Sequence, residues 1–217
     1  MKEKLIERAI AEIEKPTFGT TEQYLEVHSV QLKNGKPKVE RVDFKSFEKV
    51  NAVYFPIAEE PFFLVIYFSK ENNKLVAVDT ENGNRIYLTA TSDKLTFDEL
   101  SKLTKLKPLT GWSIDDLRAN GKSRYNFSRI SFEPIKSNAY ELEPKLKMLL
   151  TELEKDIDGI KKLIAKSNVI ISIFSQQYIC GNKGIHFDTK IISRMNNLNL
   201  GIDIDQSDYG NELKSVL

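Results

Sequence analysis

The chain has 217 residues, 41% of them hydrophobic, which is enough for an ordinary buried core in one large or two small domains and excludes a disordered chain. Its 32 basic and 31 acidic side chains leave a formal charge of +1, so no global field draws it to nucleic acid or to an anionic membrane. A single cysteine, Cys180, excludes an internal disulfide and suits a reducing, cytoplasmic setting.

The opening "MKEKLIERAIAEIEK" is charged throughout and lacks the apolar run of a signal peptide. Within it Leu5, Ile6, Ala9, Ile10 and Ile13 recur at helical steps, which predicts an amphipathic helix ended by Pro16. From Tyr24 the period changes to that of a strand. "YLEVHSVQL", the "KNGK" turn and "PKVERVDF" predict a hairpin. "VNAVYFPI" and the uniformly apolar "PFFLVIYFS" predict two more strands, the second in the middle of its sheet. Another hairpin is expected from "KLVAVD" through "TENGN" to "RIYLTAT". No run reaches the roughly 18 to 20 apolar residues of a membrane-spanning helix.

Thr96 and Glu99 have capping-box spacing, so "TFDELSKLT" predicts a short helix. "KPLTGWSIDDLRANGKSRYN" shows no sustained period and is expected to be a long loop with at most one helical turn. "FSRISFEPI" reads as a strand. Leu142, Leu146, Leu149, Leu153, Ile157, Ile160 and Ile164 then trace the stripe of the longest helix, which Gly159 is expected to bend. "NVIISIFSQQYI" predicts a buried strand, "DTKIISRMNNLN" a helix begun by Asp188, and "LGIDID" a closing strand. The expected fold is α+β. Residues 1–84 form a helix plus antiparallel sheet module and residues 85–217 an α+β module, with their sheets joined through the "ENGN" turn.

The order of elements from "YLTATSDKLTFDELSKLTKLKP" through "SRISFEP", the long helix, "NVIISIF" and "CGNKGIHFDTKIISRMNNLNLGIDIDQSDYG" resembles the bacterial family domain of unknown function 4279, over about residues 86–210. The family's tryptophan at the start of the strand after the loop stands here as Phe127, while Trp112 lies inside the loop. The resemblance implies a compact split βαβ, ferredoxin-like module with one long helix and carries no activity. It does not extend to the first 85 or so residues.

Asp203, Asp205 and Asp208 fall within six residues and invite a metal reading. An EF-hand loop needs glycine at its sixth and glutamate at its twelfth position, and the registers starting at Asp203 and Asp205 both fail. Alternation puts Ile202 and Ile204 on one face of a strand and Asp203 and Asp205 on the other, so a solvated edge strand is expected. His28 lies in an alternating run and Cys180 stands near His186, without further ligands to make a zinc site and with the thiol read as structural. "GNKG" at 181–184 is too short for a phosphate loop and reads as a turn.

Tyr54, Phe55, Phe62, Phe63, Tyr67 and Phe68 are expected in the core, and their acidic flank argues against a nucleic-acid platform. Trp112, Arg124 and Tyr125 share the irregular loop with Asp115 and Asp116, and large aromatics with arginine anchor protein interfaces. These five residues, with Asp203, Asp205 and Asp208, are the candidate partner-binding residues. No catalytic, cofactor or metal residues are assigned. The expectation is a non-catalytic bacterial protein-binding module, in its specific form an immunity protein that neutralises a toxin, with no nucleic-acid or membrane partner. The alternative is a small-ligand-binding or regulatory module in which the Pro108–Arg124 loop closes over a pocket.

Overall fold

A computed structural model describes residues 2–107, 109–181 and 183–214. Helix α1 (Lys2–Glu14) buries Leu5, Ala9 and Ile13, as its periodicity requires. The strand expected from Tyr24 is instead preceded and displaced by a second helix, α2 (Gly19–Leu25). Glu12 is the cause. Its buried carboxylate accepts from the Thr17 and Phe18 amides, each at 3.0 Å, and from the Thr21 hydroxyl at 2.7 Å. A residue of α1 thus holds the backbone that leads into α2 and the Thr21 side chain in its first turn, and local strand propensity yields to it. The expected hairpin shrinks to β1 (Leu32–Lys33) and β2 (Lys36–Pro37).

Strands β3 (Arg41–Asp43), β4 (Val50–Pro56), β5 (Phe63–Ser69) and β6 (Leu75–Glu81) form an antiparallel sheet in that order. Val53, Phe55, Leu64, Ile66 and Phe68 pack on α1 and α2 from one face. The other face, with Tyr54, Phe63, Val65 and Tyr67, meets Ala139.

No hairpin follows β6. Asn82 carries the chain over, and β7 (Gly83–Ser92) begins in a different sheet. Gly83 lies so close to Pro61 that an added Cβ would sit 1.8 Å from the Pro61 carbonyl oxygen. The two sheets are therefore separate, which corrects the pairing expected across "TENGN"; the same turn-forming residues serve a crossover as well as a hairpin.

The second half continues with α3 (Phe97–Lys102), β8 (Thr110–Trp112), β9 (Ser128–Phe132), α4 (Leu142–Leu153), α5 (Ile157–Lys166), β10 (Asn168–Tyr178), α6 (Thr189–Asn197) and β11 (Gly201–Tyr209). Thr96 and Glu99 form the expected capping box on α3, and Asp188 caps α6 through the Ile191 amide at 2.8 Å. The sheet order is β11-β10-β7-β9-β8. Strands β7 and β8 run parallel with antiparallel β9 between them, and β9 and β10 flank β7 in the same way. Strand β11 adds a parallel edge beside β10. All four helices of this half pack on one face, over Ile86, Leu88, Ala90, Ile130, Ile171 and Ile173. The fold is α+β.

The single long helix expected from the leucine stripe is two helices joined by a 3-10 turn at Glu154–Asp156. Asp156 folds back and accepts from the Gly159 amide at 3.2 Å, the Thr104 hydroxyl at 2.7 Å and the Lys105 amide at 2.5 Å. A Cβ on Gly159 would lie 2.0 Å from the Asp156 carboxylate, so glycine is what admits this cap. Tyr178, at the end of β10, enters the core of the first half against Phe62, His28 and Tyr24 and ties the halves together. Among the described residues no helix is long and apolar enough to cross a membrane.

Candidate functional site

Alternation along β7 packs Ile86, Leu88 and Ala90 under the helices and sends Arg85, Tyr87 and Thr89 to the opposite face, which no helix covers among the described residues but where Tyr87 and Thr89 are still buried by neighbouring side chains. Register adds to that face Trp112 of β8 opposite Arg129 of β9, and Phe174 of β10 opposite Arg85. The result is a ladder of rings and guanidinium groups. Trp112 stacks on Tyr125 with ring centroids 4.2 Å apart, and Arg129 lies 5.3 Å from the Trp112 ring and 5.5 Å from that of Tyr87. Arg129 also donates to the Tyr87 hydroxyl at 3.1 Å, which fixes its plane. Tyr87 stacks in turn on Phe174 at 6.0 Å, with Arg85 4.8 Å from its ring. Such pairs are worth about 0.5–1.5 kcal/mol each beyond area burial.

The loop between β8 and β9 is not irregular. The Asp115 amide donates to the Tyr125 carbonyl at 2.8 Å, the Tyr125 amide donates to the Asp116 carbonyl at 3.0 Å, and Leu117 bridges to Arg124. The loop is a small hairpin folded on the sheet edge, so Trp112, Asp115, Asp116, Arg124 and Tyr125 do come together. Two of them are occupied internally: Asp116 accepts from the Ser113 amide at 2.6 Å and Arg124 donates to the Asp115 carbonyl. Pro108 lies outside the described residues.

The aspartates lie apart from this cluster. Asp203 and Asp205 stand on the uncovered face in register with Ser172 and Phe174, while Asp208 falls on the other side and accepts from Gln177 at 2.7 Å. The three do not converge on a point. Strands β8 and β11 are opposite edges of the sheet, which at the usual spacing separates the two predicted groups by about 19 Å. His28 is buried, 5.5 Å from the Phe62 ring, and its Nε2 accepts from the Asn211 amide; burial lowers its pKa. Cys180 is exposed, and His186 stands 4.0 Å from Glu143. Asn182, in the expected "GNKG" turn, is outside the described residues.

Sequence reasoning missed a second feature, a cleft of about 290 Å³ where the two sheets meet, bordered by Glu81, Asn84, Glu141, Glu143, Ser175 and Lys183. None of the β8–β9 loop lines it, so the cavity is not the one expected under that loop. Glu81 accepts from the Tyr67 hydroxyl and from Lys183 at 2.7 Å. Burial and the Glu81 carboxylate push the Tyr67 phenol well up. Burial first, then repulsion from Glu81 and Asp43, raises Glu141 to about 7. Beside it Arg41 lies 3.7 Å from the Tyr140 ring and pairs with Asp43. Lys145, fully buried, donates to the Asn84 and Ser137 carbonyls at 2.6 and 2.8 Å, and burial lowers it to about 8. The signal was faint because these residues are scattered from 41 to 183 in the sequence.

The fold is α+β, with a sheet face that no helix covers among the described residues and a charged cleft at the sheet junction. The family model for a domain of unknown function (DUF4279) matches residues 81–209, more than half of the chain, and the protein belongs to that family. The match begins where β6 ends and the chain passes into the second sheet. Comparison with curated proteins and with solved structures returned no match.

Proposed function

We propose that the protein is a non-catalytic protein-binding module that docks its partner across the uncovered face of the five-stranded sheet, and that it serves as an immunity protein masking a toxin. The observation that carries this reading is the ladder in which Trp112, Arg129, Phe174 and Arg85 gather around the Tyr87 ring, itself only 5% exposed and the floor of the surface. Stacked rings and guanidinium groups held in place before docking lose little freedom on binding, and residues of these types dominate interface energies. Asp203 and Asp205, beside Phe174, are in no ion pair among the described residues. Asp203 and Asp205, on the β11 edge of the face, would meet a basic patch on the partner and accelerate its encounter.

The test is co-expression with each toxin encoded beside the gene. The wild-type chain rescues growth, and the pair Trp112→Ala and Asp205→Lys loses rescue while circular dichroism stays unchanged. Rescue that survives both changes, absence of rescue from every adjacent toxin, or binding of single-stranded RNA by this face would each overturn the proposal.

A further inference from the structure

We infer that the cleft at the sheet junction binds a small organic cation, an ammonium or guanidinium group carried on a short alkyl chain. The inference goes beyond the proposed protein interface and uses none of its residues. The cavity itself, about 290 Å³, has the volume of a small metabolite site and not of a protein groove.

Its polar lining asks for hydrogen-bond donors. Asn84 is 3% exposed, and its Nδ2 is held by the Tyr140 carbonyl at 2.8 Å, which fixes the amide and leaves Oδ1 without a partner. Glu143 Oε1 is likewise buried with no hydrogen bond. Buried acceptors left in this state are destabilising, and a ligand rich in N–H groups would supply their missing partners.

The charges point the same way. Lys183 is committed to Glu81 at 2.7 Å and Asp79 at 3.6 Å, and the closest side-chain nitrogens to Glu143, on Lys147 and His186, are at 3.9 and 4.0 Å. An incoming anion would therefore meet Glu141 and Glu143 before any free positive group. A cation would be held by them, with Leu142 and Ile185 as apolar walls for its alkyl chain. The apolar walls beside the carboxylates suit a cation that carries an alkyl chain, so the cation inferred is organic.

Glu141 faces Glu81 and Asp43 as repulsive neighbours and Lys183 and Arg41 as attractive ones, with burial holding its pKa near 7. A bound ammonium would favour its ionised form, so binding releases a proton and tightens as pH rises through about 7.

Calorimetric titration of the full chain with agmatine and with putrescine tests this, with glutarate as the anionic comparison. Saturation at one equivalent is expected, with a heat that depends on the buffer's own ionisation. Glu141→Gln weakens affinity about tenfold or more. Gly184→Lys, whose added Cβ would meet nothing within 4 Å, abolishes binding by placing a tethered ammonium at the cleft, with the fold retained. Trp112→Ala leaves agmatine binding unchanged, so failure of the protein interface and failure of the cation site are read separately. A capped Gly-Arg-Gly peptide that binds like agmatine identifies a polypeptide side chain as the source of the cation, and its exclusion identifies a free amine. Binding of glutarate in preference, no saturation by either cation, or unchanged affinity in Glu141→Gln would sink the inference.

Discussion

Replacing Asp156 by alanine removes one carboxylate from three donors: the Thr104 hydroxyl, the Lys105 amide and the Gly159 amide. Loss of the helix cap costs about 1 kcal/mol, and two further donors stranded beside a residue that is 8% exposed add about 1 kcal/mol each at the low end, for a total of about 3 kcal/mol. In a chain of this length that lowers the melting temperature by about 6–12 °C. Urea denaturation followed by tryptophan fluorescence is the assay, with an unchanged slope as the check that only stability has moved. Gly159→Ala should cost a similar amount, because its Cβ would lie 2.0 Å from the same carboxylate. The double variant should be little worse than either single one, since both remove one cap. Burial opposes ionisation of Asp156, but these hydrogen bonds hold its pKa below the usual carboxylate range. Its contribution is then complete above the unfolded pKa and fades as pH falls through the folded one, so the gap between wild type and variant closes in acid. A loss under about 1 kcal/mol, or fully additive single variants, would refute the account of the helix break.

At the crossover, Gly83→Ala forces a methyl group against the Pro61 carbonyl and should cost about 1–3 kcal/mol in the same denaturation assay. Lys145→Met strands the Asn84 and Ser137 carbonyls and should destabilise by about 2 kcal/mol at neutral pH. Because the folded pKa of Lys145 is lowered to about 8, the unfolded chain binds the extra proton above that value, so wild-type stability rises from pH 8 towards 10 and this rise vanishes in the variant. Glu141 behaves in the opposite sense: with its pKa raised to about 7, wild-type stability falls as pH rises from 4.5 through 7. Glu141→Gln should be more stable than wild type at about pH 8, by about 1 kcal/mol after solvent screening, and no more stable below pH 4.5.

What the sequence disclosed was whatever neighbouring residues decide. The alternation of Ile86, Leu88 and Ala90, the Thr96 and Glu99 cap and the Asp188 start needed no distant partner. The misreadings share one physical origin. Helix α2 displaces a strand because of Glu12 in another helix; β6 and β7 part because Gly83 meets Pro61; and the leucine stripe breaks because Asp156 reaches Thr104 and Lys105. Each outcome is set by a contact that local propensity does not contain. The site divides in the same way. Trp112, Arg124 and Tyr125 lie within fourteen residues and were visible together, whereas Tyr87, Arg129 and Phe174 meet only once register is fixed.

The sheet junction is also a place where the molecule departs from what stability alone would select. Elsewhere the buried carboxylates of Glu12 and Asp156 are surrounded by donors and their pKa values fall. At the junction Glu141 is pushed the other way by burial and two carboxylates, Asn84 Oδ1 has no donor, and the Tyr54 hydroxyl, buried beside the same charges, has none either. A hydrophobic or fully bonded packing of these positions would be more stable. The raised pKa of Glu141 is why Glu141→Gln should raise stability in the free protein, and the inferred cation site adds that the same variant should lose affinity for a cation. A purely structural junction would gain the same stability at that pH, so affinity for a cation is the measurement that separates the two.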